Sequence, residues 1–190
     1  MSDNHIIIYG SPGAGKGTQA RRLVEKYGFF HVETGKIIRD EINNGTPLGK
    51  SMTDFINNGR LVPDSHTIGL VHDIINRNSD KAFLFDGFPR TVIQAIVLNG
   101  ILNKNKNYKK CILVGLEVDE AELKRRILAR DRDANDRDPV VTQNRITVFN
   151  RETAPVKEFY SRRDLYYAVD GTRSEDDVFA ELCNFINKIK

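Results

Sequence analysis

The chain has 190 residues, enough for one domain with a sizeable core and small insertions. Its 39% hydrophobic and 29% charged content excludes a disordered chain and describes a globular one. A balance of 29 basic against 26 acidic residues leaves a net charge of only +3, which argues against a dedicated nucleic-acid binder.

No run approaches the roughly 18 apolar residues of a membrane span, so no membrane association is expected. The first strand starts too close to Met1 for a signal peptide. Cys111 and Cys183 belong to no Cys-x-x-Cys or Cys/His set and read as buried thiols in a reducing, cytoplasmic setting.

In chain order, the β-branched run Ile6–Ile8 predicts a buried strand. It breaks into Gly10-Ser-Pro-Gly-Ala-Gly-Lys-Gly-Thr18, and from Lys16 the pattern turns helical through Leu23, Val24 and Tyr27. Strand, Gly-x-x-x-x-Gly-Lys and helix together form the phosphate-binding P-loop. Gly10, Gly13 and Gly15 allow backbone conformations in which consecutive N–H groups turn inward, and Lys16 can reach the outer phosphates. The place after the lysine, usually a metal-ligating Ser or Thr, holds Gly17, with Thr18 one position later.

Phe29–Val32 predicts a second strand, followed by a helix through Ile37, Ile38 and Ile42 with Thr34 as a plausible N-cap. Short helical patterns then run through Met52, Phe55 and Ile56, and from Asp64 through Ile75; the glycine-stitched pieces read as an insertion. Ala82–Phe85 is a compact strand ending in Asp86-Gly-Phe-Pro-Arg90-Thr91. An aspartate closing a hydrophobic strand after a P-loop suits Mg2+ or its water ligands, although Asp-Gly is also a common turn. A helix through Ile93, Ile96 and Leu98 leads to a fourth strand, Ile112–Val118, and Asp119 caps the next helix. The charged run 130–139 can be a solvated loop. Helical pattern resumes from Val140 to Tyr160, Leu165–Val169 predicts a fifth strand, Asp170-Gly-Thr172 a turn, and Val178–Ile189 a final helix.

Continuous apolar strands alternating with helices predict an α/β fold, a five-stranded parallel sheet covered on both faces. Such sheets bind ligands beyond the carboxyl ends of their strands, where the P-loop, Thr34, Asp86 and Gly171 all fall.

Residues 10–20, Thr34-Gly35 with Arg39, and Asp86–Thr91 with Gln94 resemble the motifs of the adenylate kinase family, in its order and over almost the whole chain. The resemblance implies reversible, Mg2+-dependent transfer from ATP to AMP, giving two ADP. Gly13, Ala14, Gly15, Lys16, Gly17 and Thr18 would cradle the ATP phosphates, with Arg126 over the adenine and Gly171 supplying backbone contacts. Thr34, Gly35, Arg39, Leu61, Val62, Gly87, Arg90, Gln94 and Arg145 would line the AMP site, Gln94 reading the adenine edge. Lys16, Arg90, Arg126, Arg130, Arg137 and Arg145 would form the catalytic set, with Arg132 an alternative to Arg137 as the lid arginine. Asp86, through water, and Thr18 are the candidate metal ligands. Residues 34–66 would form a monophosphate-binding insertion and 131–139 a short lid within the single domain, working as a monomer on free nucleotides.

Two nucleotides meeting phosphate to phosphate need permanent, bidentate cations, which arginine supplies. A phosphate oxygen as acceptor needs no general base, so His5, His31, His66 and His72 are read as structural or surface residues. The related UMP/CMP kinases usually carry alanine for Thr34 and asparagine after Pro-Arg; Thr34, Thr91 and Gln94 are each the adenylate choice. A GTPase switch should show Asn-Lys-x-Asp, and Asn103-Lys-Asn-Lys106 lacks the aspartate. Lys36 stands where the family usually has aspartate, an unfavourable charge for a helix's first turn.

Overall fold

The computed structural model describes residues 4–104, 110–128 and 139–189. Strands β1 (His5–Tyr9), β2 (Phe30–Glu33), β3 (Phe83–Asp86), β4 (Cys111–Glu117) and β5 (Tyr166–Asp170) form one sheet in the order β2-β3-β1-β4-β5. Every pairing is parallel, with Ile8 beside both Asp86 and Val114. The β-branched and aromatic runs are buried on both faces, as a covered parallel sheet requires.

One face packs against α1 (Lys16–Tyr27) and the C-terminal helix α9 (Glu175–Lys188), with Ile6, Ile8, Leu23, Val114, Leu182 and Ile186 in its core. The opposite face packs against α4 (Asp64–Arg77), α5 (Val92–Asn103) and α8 (Ala154–Ser161) around Ile7, Phe83, Phe85, Leu98 and Tyr160. Helices α2 (Thr34–Asn43) and α3 (Pro47–Asn57) stand apart on a small core of Ile38, Met52 and Val62. Helices α6 (Glu120–Leu128) and α7 (Pro139–Val148) flank residues outside the described set, and α7 runs through a π-helical turn, Phe149–Thr153, into α8.

Periodicity places the elements to within a few residues. Ile93 and Ile96, read as apolar helix positions, are 61% and 55% exposed, because α5 is apolar on more faces than it buries. Helix α9 begins at Glu175, earlier than Val178, because Ser174 accepts a hydrogen bond from Asp177 N at 3.1 Å and three acids occupy the first turn. Thr34 is not the N-cap of α2: Glu33 holds that position, and the Thr34 hydroxyl donates instead to the Asp86 carbonyl at 3.3 Å. The buried His5 is structural, its Nδ1 accepting from Phe83 N at 3.1 Å.

Both cysteines are unpaired and buried. Burial pushes the Cys111 thiol far above the usual range, against a smaller lowering by its hydrogen bond with Tyr160. Since the thiolate is the reactive form, an aromatic disulfide reagent is expected to leave Cys111 untouched in the folded protein and to titrate it only after unfolding. Rapid native labelling, located by peptide mapping, would contradict that burial.

Candidate active site

The phosphate loop leaves β1 at the centre of the sheet. Gly13 and Gly15 take φ of 94° and 92°, left-handed values that a side chain would strain, and Ala14 N closes the turn onto Ser11 O at 3.1 Å. Gly15 is the N-cap of α1, whose first turn has no acid to offset its positive end. Lys16 folds back over the loop, its Nζ donating to Gly10 O at 2.8 Å and Ser11 O at 3.0 Å. The chain thereby forms a closed ring of backbone around a space suited to phosphate oxygens.

Asp86 ends β3 beside this ring and is only 9% exposed. A Cβ built on Gly17 would make only ordinary contacts, 3.7 Å from both Asp86 Oδ2 and Arg21 Nη1, which places this loop position directly beside the carboxylate. The Thr18 hydroxyl makes no hydrogen bond among the described residues. Asp86 beside a phosphate cradle fits Mg2+, which favours few protein ligands supplemented by water and phosphate oxygens, whereas Thr18, in the first turn of α1, is not among the cleft-lining residues. Among the described residues no group of three or more His, Cys, Asp or Glu forms a closed metal cage.

From this floor opens a cleft of about 310 Å³. Lys16, Arg21, Arg39, Arg60, Arg90 and Arg145 line it, against the carboxylates Glu33 and Asp86. Arg90 Nε donates to Gly87 O at 2.8 Å, and Gly87 (φ 84°) is packed so closely that a Cβ would meet Thr34 Oγ1 at 2.8 Å. Desolvation lowers the Arg90 pKa, and the like charges of Arg145 and Arg39 lower it further against the pull of Asp86. Arg39 reaches Glu33 at 3.3 Å. Tyr9 and Phe149 pack on the wall with their rings tilted by 41° and 5.4 Å between centroids, and burial, with Glu117 nearby, pushes the Tyr9 hydroxyl up to about 12.

The C-terminal end of α3 and helix α7 meet across this cleft. Asn144 of α7 donates to Asn58 O at 3.4 Å, and a Cβ on Gly59 would come within 2.8 Å of Val141 O. Arg145, on the same helix, is thereby held beside Gly59.

Of the sequence candidates, Gly13, Gly15, Lys16, Gly17, Gly35, Arg39, Leu61, Asp86, Gly87, Arg90 and Arg145 share the cleft wall. Thr34, Val62 and Gln94 lie buried just behind it, and Ala14 is buried within the loop. Arg126 and Gly171 meet elsewhere: Arg126 Nη2 donates to Thr172 O at 3.4 Å, and Gly171 N to Glu117 O at 2.8 Å. Arg126 also bonds Glu122 at 2.7 Å, and Glu122, gripped by Arg125 and Arg126, is held down to about 2. Lys36 sits outside the cleft, its charge answered by Asp40 one turn on at 3.1 Å. Arg130, Arg132, Arg137 and the lid 131–139, except Pro139, lie outside the described residues.

Sequence reasoning missed Arg21, Glu33, Arg60 and the Tyr9–Phe149 pair. Arg21 was accessible to it, because a residue four places after Gly17 shares its helix face. None of the four histidines lines the cleft.

A parallel α/β sheet with a phosphate loop after its central strand, an acid ending the strand paired beside it and a cation-rich cleft define a P-loop nucleotide-binding protein. The sequence model of the adenylate kinase family matches residues 8–165. A curated adenylate kinase of Bacteroides fragilis is 36% identical over 189 residues, covering 97% of this chain and 99% of the relative. That of Azobacteroides pseudotrichonymphae is 38% identical over 188 residues, covering 97% and 98%, and that of Flavobacterium psychrophilum 38% over 189, covering 97% and 99%. The chain belongs to the adenylate kinase family, and so to the nucleoside monophosphate kinases.

Proposed function

We propose that the protein transfers the γ-phosphoryl group of ATP directly to AMP and runs the reverse reaction from two ADP. A non-bridging oxygen of the AMP phosphate forms the new bond to phosphorus as the β–γ bridge breaks, leaving ADP on both sides. The observation that carries this reading is the convergence of Arg39, Arg90 and Arg145 on one cleft with the Lys16 loop and Asp86. Three guanidiniums forced together favour a bound anion strongly, and phosphoryl transfer depends mainly on such positioning and charge compensation.

In this reading the P-loop holds the donor phosphates, and Arg126 with the Gly171 turn forms the donor-base side, which their contact at Thr172 supports. Thr34, Gly35, Arg39, Leu61, Val62, Gly87, Arg90, Gln94 and Arg145 serve the acceptor. Asp86, with Thr18, would hold Mg2+, which when bound offsets charge on the transferring phosphates. Arg130 and Arg137 (or Arg132) would close from the lid. The separate small core of α2 and α3 supports residues 34–66 moving as a unit, and closure would keep water from acting as acceptor. Action as a cytoplasmic monomer on free nucleotides fits the unpaired buried thiols and the lack of any described helix long and apolar enough to span a membrane.

A coupled assay with ATP and each of AMP, CMP, UMP and GMP tests the acceptor. AMP is expected to lead by about tenfold or more in kcat/KM, and a clear preference for CMP would overturn the assignment. A compound joining two adenosines through a phosphate chain is expected to occupy both halves at once and to bind more tightly with Mg2+.

A further inference from the structure

Asp64, the first residue of α4, touches neither the P-loop nor the cleft wall, yet it holds two residues of the Asp86–Gln94 segment. Its Oδ2 accepts from the Thr91 hydroxyl at 2.9 Å, and its Oδ1 accepts from Gln94 Nε2 at 2.7 Å. Gln94 Nε2 also donates to Thr67 Oγ1 at 3.1 Å, while Gln94 Oε1 accepts from Arg90 N at 2.7 Å. The side chain is 2% exposed.

These contacts permit one orientation of the amide. Turning it over would set Nε2 against the Arg90 N–H and Oε1 against the Asp64 carboxylate, exchanging two hydrogen bonds for two repulsions in a nearly dry place. Asp64 and the Arg90 N–H make the choice from the two ends of the amide, since a hydroxyl such as Thr67 can accept from the amide or donate to it, whereas a carboxylate only accepts and a backbone N–H only donates.

We propose that Asp64 is a positioning residue that, together with the Arg90 N–H, sets base selection by holding the Gln94 amide in one polarity; the inference rests on Gln94 being the base-reading group of the acceptor site. With the carbonyl fixed, Oε1 keeps one lone pair for an exocyclic amino group. The Nε2 proton on Thr67, in the longer of its two bonds, is the one a ring-nitrogen acceptor takes over. A 6-amino purine presents that pair, a donor beside an acceptor. A 6-oxo purine presents the reverse, an acceptor beside an N1–H, and meets like against like. A site built around fixed polar partners rejects the mismatched ligand far more strongly than an apolar pocket does.

The test compares AMP with IMP, which differ in size by almost nothing and in edge polarity completely. Asp64→Ala is expected to lower the AMP-to-IMP ratio of kcat/KM about tenfold, chiefly by raising KM for AMP, with KM for ATP within about twofold. Asp64→Asn, which keeps an oxygen for Nε2, is expected to recover most of the ratio. An unchanged ratio in a folded Asp64→Ala protein overturns the inference. Should that variant not fold, side-chain amide exchange in the wild-type protein decides: the Gln94 Nε2 protons are expected to be protected at least tenfold relative to exposed amides, and unprotected protons overturn the fixed orientation. Gln94→Leu separates the two levels. A collapsed ratio there beside an intact one in Asp64→Ala rejects the role of Asp64 alone, whereas an intact ratio in Gln94→Leu rejects base reading by Gln94 itself.

Discussion

Arg90→Ala is expected to lower turnover about 10³-fold or more, the scale set by removing a single arginine from a phosphoryl-transfer site, with no loss of thermal stability. The side chain reaches solvent only through the cleft it lines, where surrounding protein atoms desolvate it, and it fills no core. Among the described residues its one side-chain hydrogen bond, Nε to Gly87 O, joins it to a carbonyl three residues away. Desolvation and the charges of Arg145 and Arg39 depress its pKa in the folded state. A base whose folded pKa is lowered is less comfortable charged when folded than when unfolded, a cost felt at every pH where the guanidinium stays protonated. Arginine remains protonated throughout the accessible range, so the charge is not lost, only opposed. A bound phosphate removes the opposition. Deleting Arg90 therefore relieves like-charge strain while removing the group aimed at the anion, the usual exchange between stability and activity at a site.

Arg90→Lys keeps the charge but not the fork, and should recover only part of the rate. The measurement pairs initial rates at saturating ATP and AMP with a thermal melt. Near-normal turnover by Arg90→Ala would remove Arg90 from the phosphate clamp and leave Arg39 and Arg145 as its remaining cleft-lining members.

What could be read from the sequence was whatever is written locally. Phosphate loops are fixed by glycine conformations a few residues apart, so Gly13, Gly15 and Lys16 declared themselves, and the strand before Asp86 was short, apolar and closed by an acid. The alternation of apolar strands with helices was enough for the parallel sheet, whose site edge then follows from topology. The misses are contacts made at a distance. Thr34 looks like a cap because caps are threonines before helices; only the sheet register, which sets Glu33 beside Asp86, brings its hydroxyl to the Asp86 carbonyl. Asp64 reads as a first-turn acid, and its bonds to Thr91 and Gln94 span 27 and 30 residues. The π-helical turn at Phe149–Thr153 inserts a wider turn into one helical pattern without disturbing its apolar rhythm enough to announce itself.

Gly49→Ala is the second large effect, expected to disable AMP use while sparing ATP binding. Gly49 lies in the first turn of α3, where no left-handed backbone requires a glycine; what requires it is space. A Cβ there would sit 2.1 Å from Glu41 O, 2.4 Å from Glu41 C and 2.6 Å from Ile42 N, all backbone atoms of α2. No rotamer change relieves a clash with backbone, so α2 and α3 must separate. The movement would pull on Thr46, whose hydroxyl donates to Glu41 and accepts from Gly49 N at 2.9 Å, and would loosen the core of Ile38, Met52 and Val62. Overpacking of this kind typically costs about 1–3 kcal/mol. Because α2 and α3 pack on a small core of their own, the cost should fall on local opening more than on global unfolding. Helix α2 carries Thr34, Gly35 and Arg39, and Leu61 and Val62 follow α3, so a loosened pair presents a dispersed acceptor site. The expected signature is a KM for AMP raised about tenfold or more, an unchanged KM for ATP, and hydrogen exchange accelerated in α2 and α3 while β1, β3 and β4 keep their protection. Unchanged exchange together with a normal KM for AMP would show that the two helices can part without disturbing the site, and would break the link drawn between this glycine and the acceptor.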